Sequence, residues 1–300
     1  MDCVFWISFG WSVYYAQKIR SDGMMKNKRG ELTTQQLVTI IVLIVSFVII
    51  LFLLFRLGLG EETNKEICHN SVLLKSKSSL GGSLDCKTNY VCISGGGKCD
   101  GFSEDYLVKV DLSGTEAEAK NETMKAIADE MADCWWMFGE GKVDYTKGID
   151  WGKVTGKKAC SICSTLSFDK EIREFTKSNI IHYNNLYVYL QSTKKNNAES
   201  YLSYMYNTNN LDKFKGDNYL LKPFNFNGKY FIVTGISEKG GLNSVKDFFF
   251  GSVDDFNKAF FDFVDLPEVE GKEEYGHIPV IVASTPDLDK LNCGEFITKA

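Results

Sequence analysis

The chain has 300 residues, of which 44% are hydrophobic and 24% are charged. This composition is typical of a folded globular protein and excludes a disordered, collagen-like or rod-like chain. The formal net charge is -5, and because nucleic-acid-binding domains usually carry a basic patch, the acidic balance argues against nucleic acid as a partner.

An uncharged apolar stretch at residues 37–55 is the clearest local feature of the sequence. It reads LVTIIVLIVSFVIILFLLF, and a helix of this length would extend about 28 Å, close to the ~30 Å hydrocarbon core of a bilayer. We therefore predict a transmembrane helix within residues 31–56 that contacts the lipid bilayer through residues 37–55.

The charges that flank the apolar stretch predict its orientation. The preceding flank holds Lys18, Arg20, Lys26, Lys28 and Arg29, and the following flank holds Arg56, Glu61, Glu62, Lys65 and Glu66. Since basic flanks stay on the cytoplasmic side, we expect residues 1–30 to form a cytoplasmic leader and residues 57–300 an extracytoplasmic domain of a single-pass protein of the cell membrane. Met24 and Met25, which directly precede a compact basic string, are candidate starts of the biological chain.

The string MMKNKRG, followed by the polar ELTTQQ and then the apolar stretch, resembles an archaeal class III, type IV pilin-like signal. In that family a membrane peptidase cuts after the glycine, so the resemblance implies cleavage between Gly30 and Glu31. It also implies that the helix stays in the membrane or packs into a filament. The fifth residue after the cut is Gln35, where the bacterial pilin pattern has glutamate, and an uncleaved signal anchor is the alternative. The segments ICHNSVLLKSKS and YVCISGGGKC are also similar to parts of uncharacterised archaeal membrane-anchored proteins.

Eight of the nine cysteines follow the apolar stretch: Cys68, Cys86, Cys92, Cys99, Cys134, Cys160, Cys163 and Cys293. An even number of cysteines beyond a membrane helix is typical of disulfides in an oxidising compartment. Three glycines between Cys92 and Cys99 suit a tight loop closed by a disulfide, so we predict this pair and, with it, Cys68 paired with Cys86. A bond from Cys293 back to the cysteines in the 160s would close a long loop and constrain the unfolded chain most.

The close spacing of Cys160 and Cys163 has three interpretations: structural disulfides, a thiol redox pair, or half of a metal site. A redox pair should open a helix directly after a strand, but the preceding WGKVTGKKA has no strand pattern. A finger-like metal site would need a second closely spaced pair, which does not follow. We favour structural disulfides and predict neither a metal nor a cofactor.

Thr115 and Glu118 form the pattern of a capping box, which predicts a helix that ends at Gly139. The apolar stripe of this helix includes Cys134 and Trp135, which we expect in the core. The adjacent Trp135 and Trp136 could instead form a platform for a sugar or lipid. Asn121 begins an N-glycosylation triplet, although it lies inside the predicted helix.

The rest of the chain predicts a mixture of helices and strands without a repeating strand–helix–strand order, which favours the α+β class. In chain order we expect a helix capped by Ser167, a strand at 186–190, a short helix at 199–206, a hairpin at 222–235 around a type I′ turn at Asn227 and Gly228, a helix capped by Ser252 and Asp255, a buried strand at 277–283 and a final helix from Thr285.

The sequence contains no phosphate-binding GxxxxGK[ST] loop, no GxSxG elbow and no HExxH motif. His69, His182 and His277 are the only histidines, and none lies in a recognisable catalytic pattern. We therefore predict a membrane-anchored structural or interaction protein of the cell surface, which the signal resemblance would make pilin-like. We expect its partner to be another protein at the cell surface. The alternative is an extracytoplasmic thiol-disulfide oxidoreductase that uses Cys160 and Cys163.

Overall fold

A computed structural model describes residues 34–56, 63–77, 84–101, 103–147, 149–154, 158–211, 221–238, 275–291 and 293–299. The chain divides into two compact units, Met1–Gly58 and Leu59–Ala300. Three predicted features lie outside the described residues: the leader, its cleavage site at Gly30 and Glu31, and the helix capped by Ser252.

The first unit contains helix α1 (Thr34–Arg56). Its described side chains, those of residues 36–50, are all exposed within the chain. Taken over the residues whose side chains the structure describes, no helix is long and apolar enough to cross a membrane. The span predicted at residues 37–55 extends past these residues and stays a prediction.

The second unit contains eight described strands. They are β1 (Asn89–Ser94), β2 (Tyr106–Lys109), β3 (Lys158–Phe168), β4 (Ile180–His182), β5 (Pro223–Asn225), β6 (Tyr230–Glu238), β7 (Tyr275–Ser284) and β8 (Glu295–Phe296). The main sheet has the order β2-β1-β3-β6-β7, with β8 also paired to β3, whereas β4 and β5 form a small sheet of their own. Strand β1 runs parallel to β2 and β3, and β6 runs antiparallel to both of its neighbours. The sheet is therefore mixed.

The helices of this unit are α2 (Thr63–Lys77), α3 (Glu116–Met137), α4 (Lys170–Phe175), α5 (Tyr183–Ser192), α6 (Tyr201–Tyr206) and α7 (Thr285–Lys290). The capping box that starts α3 is confirmed, because the Thr115 hydroxyl accepts from the Glu118 amide and the Glu118 carboxylate accepts from the Thr115 amide. Helix α3 packs across β3, β6 and β7, and its predicted apolar stripe is buried there. The predicted α+β class is confirmed.

Four disulfides brace the second unit. Cys68 bonds to Cys86 and Cys92 to Cys99, which are the two predicted pairs. The other two bonds leave the same strand, β3: Cys160 bonds to Cys293, as the long-loop expectation suggested, and Cys163 bonds to Cys134 on α3. One strand is thus covalently joined both to the main helix and to the C-terminal segment.

A β-bulge in β3 explains how it bonds to α3. The register with β6 pairs Ile162 with Val233 and Ser164 with Ile232, which leaves Cys163 as an extra residue. Side chains normally alternate between the two faces of a strand, but a bulge re-aims one of them. Cys163 and Ser164 consequently both reach α3, the first through its disulfide and the second through a hydrogen bond.

Glu130 receives that hydrogen bond and connects four elements. Its carboxylate, on α3, accepts from Ser164 of β3 at 2.7 Å, from Tyr106 of β2 at 2.5 Å and from the ammonium of Lys65 on α2 at 3.0 Å. Burial alone would lower the pKa of Lys65, but attraction to Glu130 and Asp133 outweighs burial and raises it. Glu130 is only 4% exposed, so this buried charge depends on Lys65 for its counterion.

One strand prediction and one helix-cap prediction were wrong for identifiable reasons. Residues 186–190 belong to helix α5, whose buried side chains are Tyr183, Leu186, Tyr187 and Leu190. This is the i, i+3, i+4, i+7 pattern of a helix, which a window of five residues could not reveal. Similarly, β3 continues through Ser167, and the cap of α4 is Asp169, whose side chain accepts from the Ile172 amide.

The predicted hairpin around Asn227 and Gly228 is also corrected. A turn does form there, with the Gly228 amide bonded to the Asn225 carbonyl, but β5 pairs with β4 while β6 pairs with β3 and β7. The Tyr230 hydroxyl donates to the Asn225 carbonyl and accepts from the Asn225 amide, so a side chain takes the place of the hairpin partner. By contrast, the helices predicted at 199–206 and from Thr285 and the strand at 277–283 are confirmed.

We expect Lys65→Met to lower the free energy of unfolding by about 2–3 kcal/mol, because it leaves the Glu130 charge buried without a cation. Adding Glu130→Gln should restore at least half of this loss. Lys125→Met is the matched control, since its ion pair with Asp129 on α3 is exposed and should be worth less than about 0.5 kcal/mol. Urea unfolding of the purified full-length chain measures all three, and equal losses for the two lysines would contradict the buried-charge account.

His277 on β7 gives the second unit a predicted pH dependence. The side chain is buried beside Tyr145, and burial lowers its pKa to about 4, with Asp144 only partly opposing the shift. An unfolded chain has a histidine pKa near 6.5, so between pH 6.5 and pH 4 the unfolded state binds a proton that the folded state does not. The contribution of His277 to the free energy of unfolding is therefore fully present above pH 6.5 and is lost as the pH drops toward 4.

We expect this one group to remove about 3 kcal/mol of stability between pH 6.5 and pH 4. His277→Phe should flatten the stability curve in that window. Tyr145→Phe is the control, because burial raises the pKa of Tyr145 far from this range, and it should leave the slope unchanged. Urea unfolding of the full-length chain at half-unit pH steps tests this, and an unaltered slope in His277→Phe would show that another group is responsible.

Candidate functional site

A left-handed turn follows α3 directly. Gly139, Glu140 and Gly141 have φ values of 77°, 56° and 69° in succession. Glycine is required at both ends, since a Cβ on Gly139 would lie 2.1 Å from the Val143 side chain and one on Gly141 would lie 2.9 Å from the Trp135 ring. Glu140 also adopts a positive φ although it carries a side chain. A non-glycine residue in this conformation costs about 1–2 kcal/mol.

The turn holds the carboxylate of Glu140 in a fixed position. It accepts a hydrogen bond from the Tyr204 hydroxyl of α6 at 2.7 Å and forms an ion pair with the Lys142 ammonium at 2.6 Å. Burial alone would raise the pKa of Glu140, but the bonds from Lys142 and Tyr204 outweigh it and lower the pKa. Glu140 is thus an ionised, oriented carboxylate.

Glu140 lies in a cleft of about 380 Å³, which is within the ~300–1,000 Å³ range of small-molecule pockets. Its walls come from the end of α3, the turn, the loop at 193–200 and α6. The lining residues are Trp135, Glu140, Lys142, Lys195, Asn196, Glu199, Ser203, Tyr204, Met205 and Asn207. The cleft therefore combines aromatic side chains with two carboxylates, two ammonium groups and several neutral polar groups.

The loop that forms one wall is organised by its own hydrogen bonds. The Lys195 amide donates to the Glu199 carbonyl, and the Asn196 side-chain oxygen accepts from the amides of Ala198 and Glu199. The loop carries the Lys195 ammonium to 3.8 Å from the centre of the Tyr204 ring, a cation–π contact. The backbone of the loop is therefore fixed by its own hydrogen bonds, and the Lys195 ammonium covers the Tyr204 ring.

The two tryptophans that sequence patterning singled out separate in the structure. Trp135 is buried and lines the cleft. Trp136 is half-buried and stacks on the His69 ring at 4.0 Å between centroids, while its carbonyl lies 2.7 Å from His69 Nδ1. They do not form one exposed platform.

The closely spaced cysteines do not form the alternative redox pair. Cys160 and Cys163 are buried in β3 and bond to Cys293 and Cys134 rather than to each other. Neither starts a helix, so no helix dipole lowers a thiol pKa. The geometry is that of structural disulfides. Among the described residues no group of three or more histidine, cysteine or acidic side chains is placed to hold a metal ion.

The glycine-rich loop after Cys92 is filled by the protein's own carboxylate. Asp169 accepts from the Ser94 hydroxyl at 2.7 Å and from the Gly95 and Gly97 amides at 2.9 Å each. Burial would raise the pKa of Asp169, but these bonds and that from the Ile172 amide outweigh it and lower the pKa. The loop is therefore a structural feature, closed by the Cys92–Cys99 disulfide.

The glycosylation candidate Asn121 is exposed on α3. Its triplet is part of the regular helix, and the Thr123 hydroxyl is buried and donates to the Ala119 carbonyl. The hydroxyl is thus already used within the helix.

Comparison of the chain with known protein families, with curated proteins and with solved structures finds no match. The cleft is thus interpreted from its own residues. Sequence reasoning recognised Gly139 only as a helix end and missed Glu140, Lys195 and Tyr204. The available signal was Gly-Glu-Gly directly after a helix, because two glycines around a charged residue indicate a left-handed turn that presents it.

We expect Glu140→Gly to change the free energy of unfolding by less than about 1 kcal/mol. Relief of the left-handed strain should offset the lost hydrogen bond and partly exposed ion pair. Gly141→Ala should lower the free energy of unfolding by about 2 kcal/mol or more, because the new Cβ would clash with the Trp135 ring and the residue has a positive φ. Urea unfolding of the full-length chain compares them. A loss in Glu140→Gly as large as that in Gly141→Ala would mean that the fold itself requires this carboxylate.

Proposed function

We propose that this chain is a membrane-anchored protein of the cell surface whose disulfide-braced domain binds a partner through the cleft beside Glu140. The observation that carries the proposal is a helix with an uncharged apolar stretch at residues 37–55, followed in the sequence by a domain whose eight cysteines are all paired. The first feature is typical of an anchor, and the second is typical of a domain in an oxidising compartment.

The apolar side chains of α1 support anchoring. From Leu37 to Ile50 the large hydrophobic ones are 45–63% exposed within the chain. So many exposed apolar groups in one helix would be unfavourable in water, whereas a bilayer would cover them. The basic flank before this helix supports an N-terminus in the cytoplasm.

The attachment of α2 also suits a tethered domain. This first helix of the second unit is fixed to the rest of that unit by the Cys68–Cys86 disulfide, the Lys65–Glu130 ion pair and the His69–Trp136 stack. These contacts would carry a force applied to α2 into the rest of the unit. The helix would therefore not detach from the domain on its own.

Binding is favoured over catalysis by the state of the candidate groups. Cys160 and Cys163 are locked in separate disulfides, which removes the nucleophiles of the oxidoreductase alternative. In the cleft, the Glu140 carboxylate is paired with Lys142 and the Tyr204 hydroxyl, and the Tyr204 ring is paired with Lys195, which suits recognition of a ligand by hydrogen bonds. The pilin-like resemblance adds the proposal that the leader is cut after Gly30, so that the mature chain starts at Glu31.

Protease treatment of intact cells of the native host, stripped of any surface coat, tests this proposal. We expect loss of the domain and retention of a small membrane-embedded fragment that contains residues 37–55. A cytoplasmic protein should survive unless the cells are lysed. The eight cysteines of the domain should resist alkylation until their disulfides are reduced. N-terminal sequencing of the mature chain should find Glu31 as its first residue. An intact domain, or thiols that react before reduction, would overturn the proposed location.

A further inference from the structure

We infer that the cleft beside Glu140 is a carbohydrate-binding site for a neutral saccharide. Because the cleft is the binding surface of the proposed function, this inference rests on that function and names the chemistry of its ligand. Three observations carry it: the balance of charge in the cleft, the half-buried ring of Tyr204, and the strained backbone that presents Glu140.

The charge balance favours a neutral ligand with many hydroxyls. Glu140 and Glu199 face the same cleft as Lys142 and Lys195, so the four formal charges cancel. A phosphate or other anion would meet two carboxylates, and an organic cation would meet two ammonium groups. A saccharide hydroxyl can donate to a carboxylate and accept from an ammonium, so it uses both kinds of group at once.

Tyr204 supplies the apolar surface that a sugar ring requires. A pyranose has a face of C–H groups and a rim of hydroxyls, and aromatic rings in pockets commonly cover such an apolar face while polar neighbours bond to the rim. The Lys195 ammonium lies 3.8 Å from the centre of this ring. A saccharide that stacks on Tyr204 would move Lys195 aside, and the ammonium would then donate to a hydroxyl of the ligand.

The backbone of Glu140 indicates that its carboxylate serves something other than the fold. A glycine at this position would adopt φ of 56° without strain, and both of its neighbours are glycines. Strained residues of this kind cluster at binding and catalytic sites. The turn fixes an ionised carboxylate at the edge of the Tyr204 ring through the 2.7 Å hydrogen bond, where it can accept from a hydroxyl of a stacked sugar.

The test is saturation-transfer NMR on the purified full-length chain, kept in a detergent without a sugar headgroup. The probes are neutral di- and trisaccharides of glucose, galactose, mannose and N-acetylglucosamine. We expect transfer to ring protons of at least one probe, with a dissociation constant that isothermal titration then measures. Tyr204→Ala should weaken binding at least tenfold through loss of stacking, whereas Tyr204→Phe should weaken it only about threefold.

Matched variants separate the cleft from the rest of the surface. Lys195→Ala should weaken binding severalfold, while Lys194→Ala, one residue away and outside the cleft lining, should not change it. Glu140→Gly should weaken binding at least tenfold without loss of folded structure, which near-ultraviolet circular dichroism checks. This combination is not expected of a residue with a merely structural role.

Three results would overturn the inference: no transfer to any neutral probe, equal binding by wild type and Tyr204→Ala, or competition for the site by inorganic phosphate or lysine methyl ester. Each of them leaves the protease and alkylation results unchanged. Failure of the ligand class can therefore be told apart from failure of the proposed location.

Discussion

The buried carboxylate of Glu130 is the constraint on which the second unit depends. Its hydrogen bonds and ion pair bring together α2, α3, β2 and β3, elements that are distant in the sequence. Such a buried charge is unfavourable unless its partners are all in place. The bulge at Cys163 permits this arrangement, because it turns two consecutive side chains of β3 toward α3. The disulfide to Cys134 and the hydrogen bond to Glu130 then hold the helix across the sheet at adjacent points.

This attachment determines where the cleft lies. Cys134 is followed at once by Trp135, which lines the cleft, and shortly afterwards by the left-handed turn that carries Glu140. The covalent bond to β3 therefore fixes the end of α3 from which the site is built. The facing wall is rigid for a different reason, since the loop that bears Lys195 is closed by hydrogen bonds of its own backbone and of Asn196. Sites held by rigid neighbours lose little entropy when a ligand binds.

Local and covalent features of this structure were predictable from sequence. The capping box at Thr115, the disulfide across the glycine loop and the buried strand at 277–283 each depend on residues close together in the chain. The strand predicted at 186–190 failed because its helical stripe begins at Tyr183, outside the alternating window. The hairpin at Asn227 failed because Tyr230 bonds to Asn225 and the two strands join different sheets. The cleft joins residues from two separated segments, 135–142 and 195–207, so only the Gly-Glu-Gly turn gave a local signal of it.

The disulfide that joins Cys160 of β3 to Cys293 in the C-terminal segment has a further consequence. Cys160 and Cys293 are 133 residues apart, and the segment after Cys293 also adds strand β8 alongside β3 and bonds back to Cys86 and Thr88. Hydrolysis of one peptide bond anywhere between these two cysteines would leave two polypeptides that are still joined by the disulfide. A single cut by a peptidase in this span would therefore not release either part of the domain from the other.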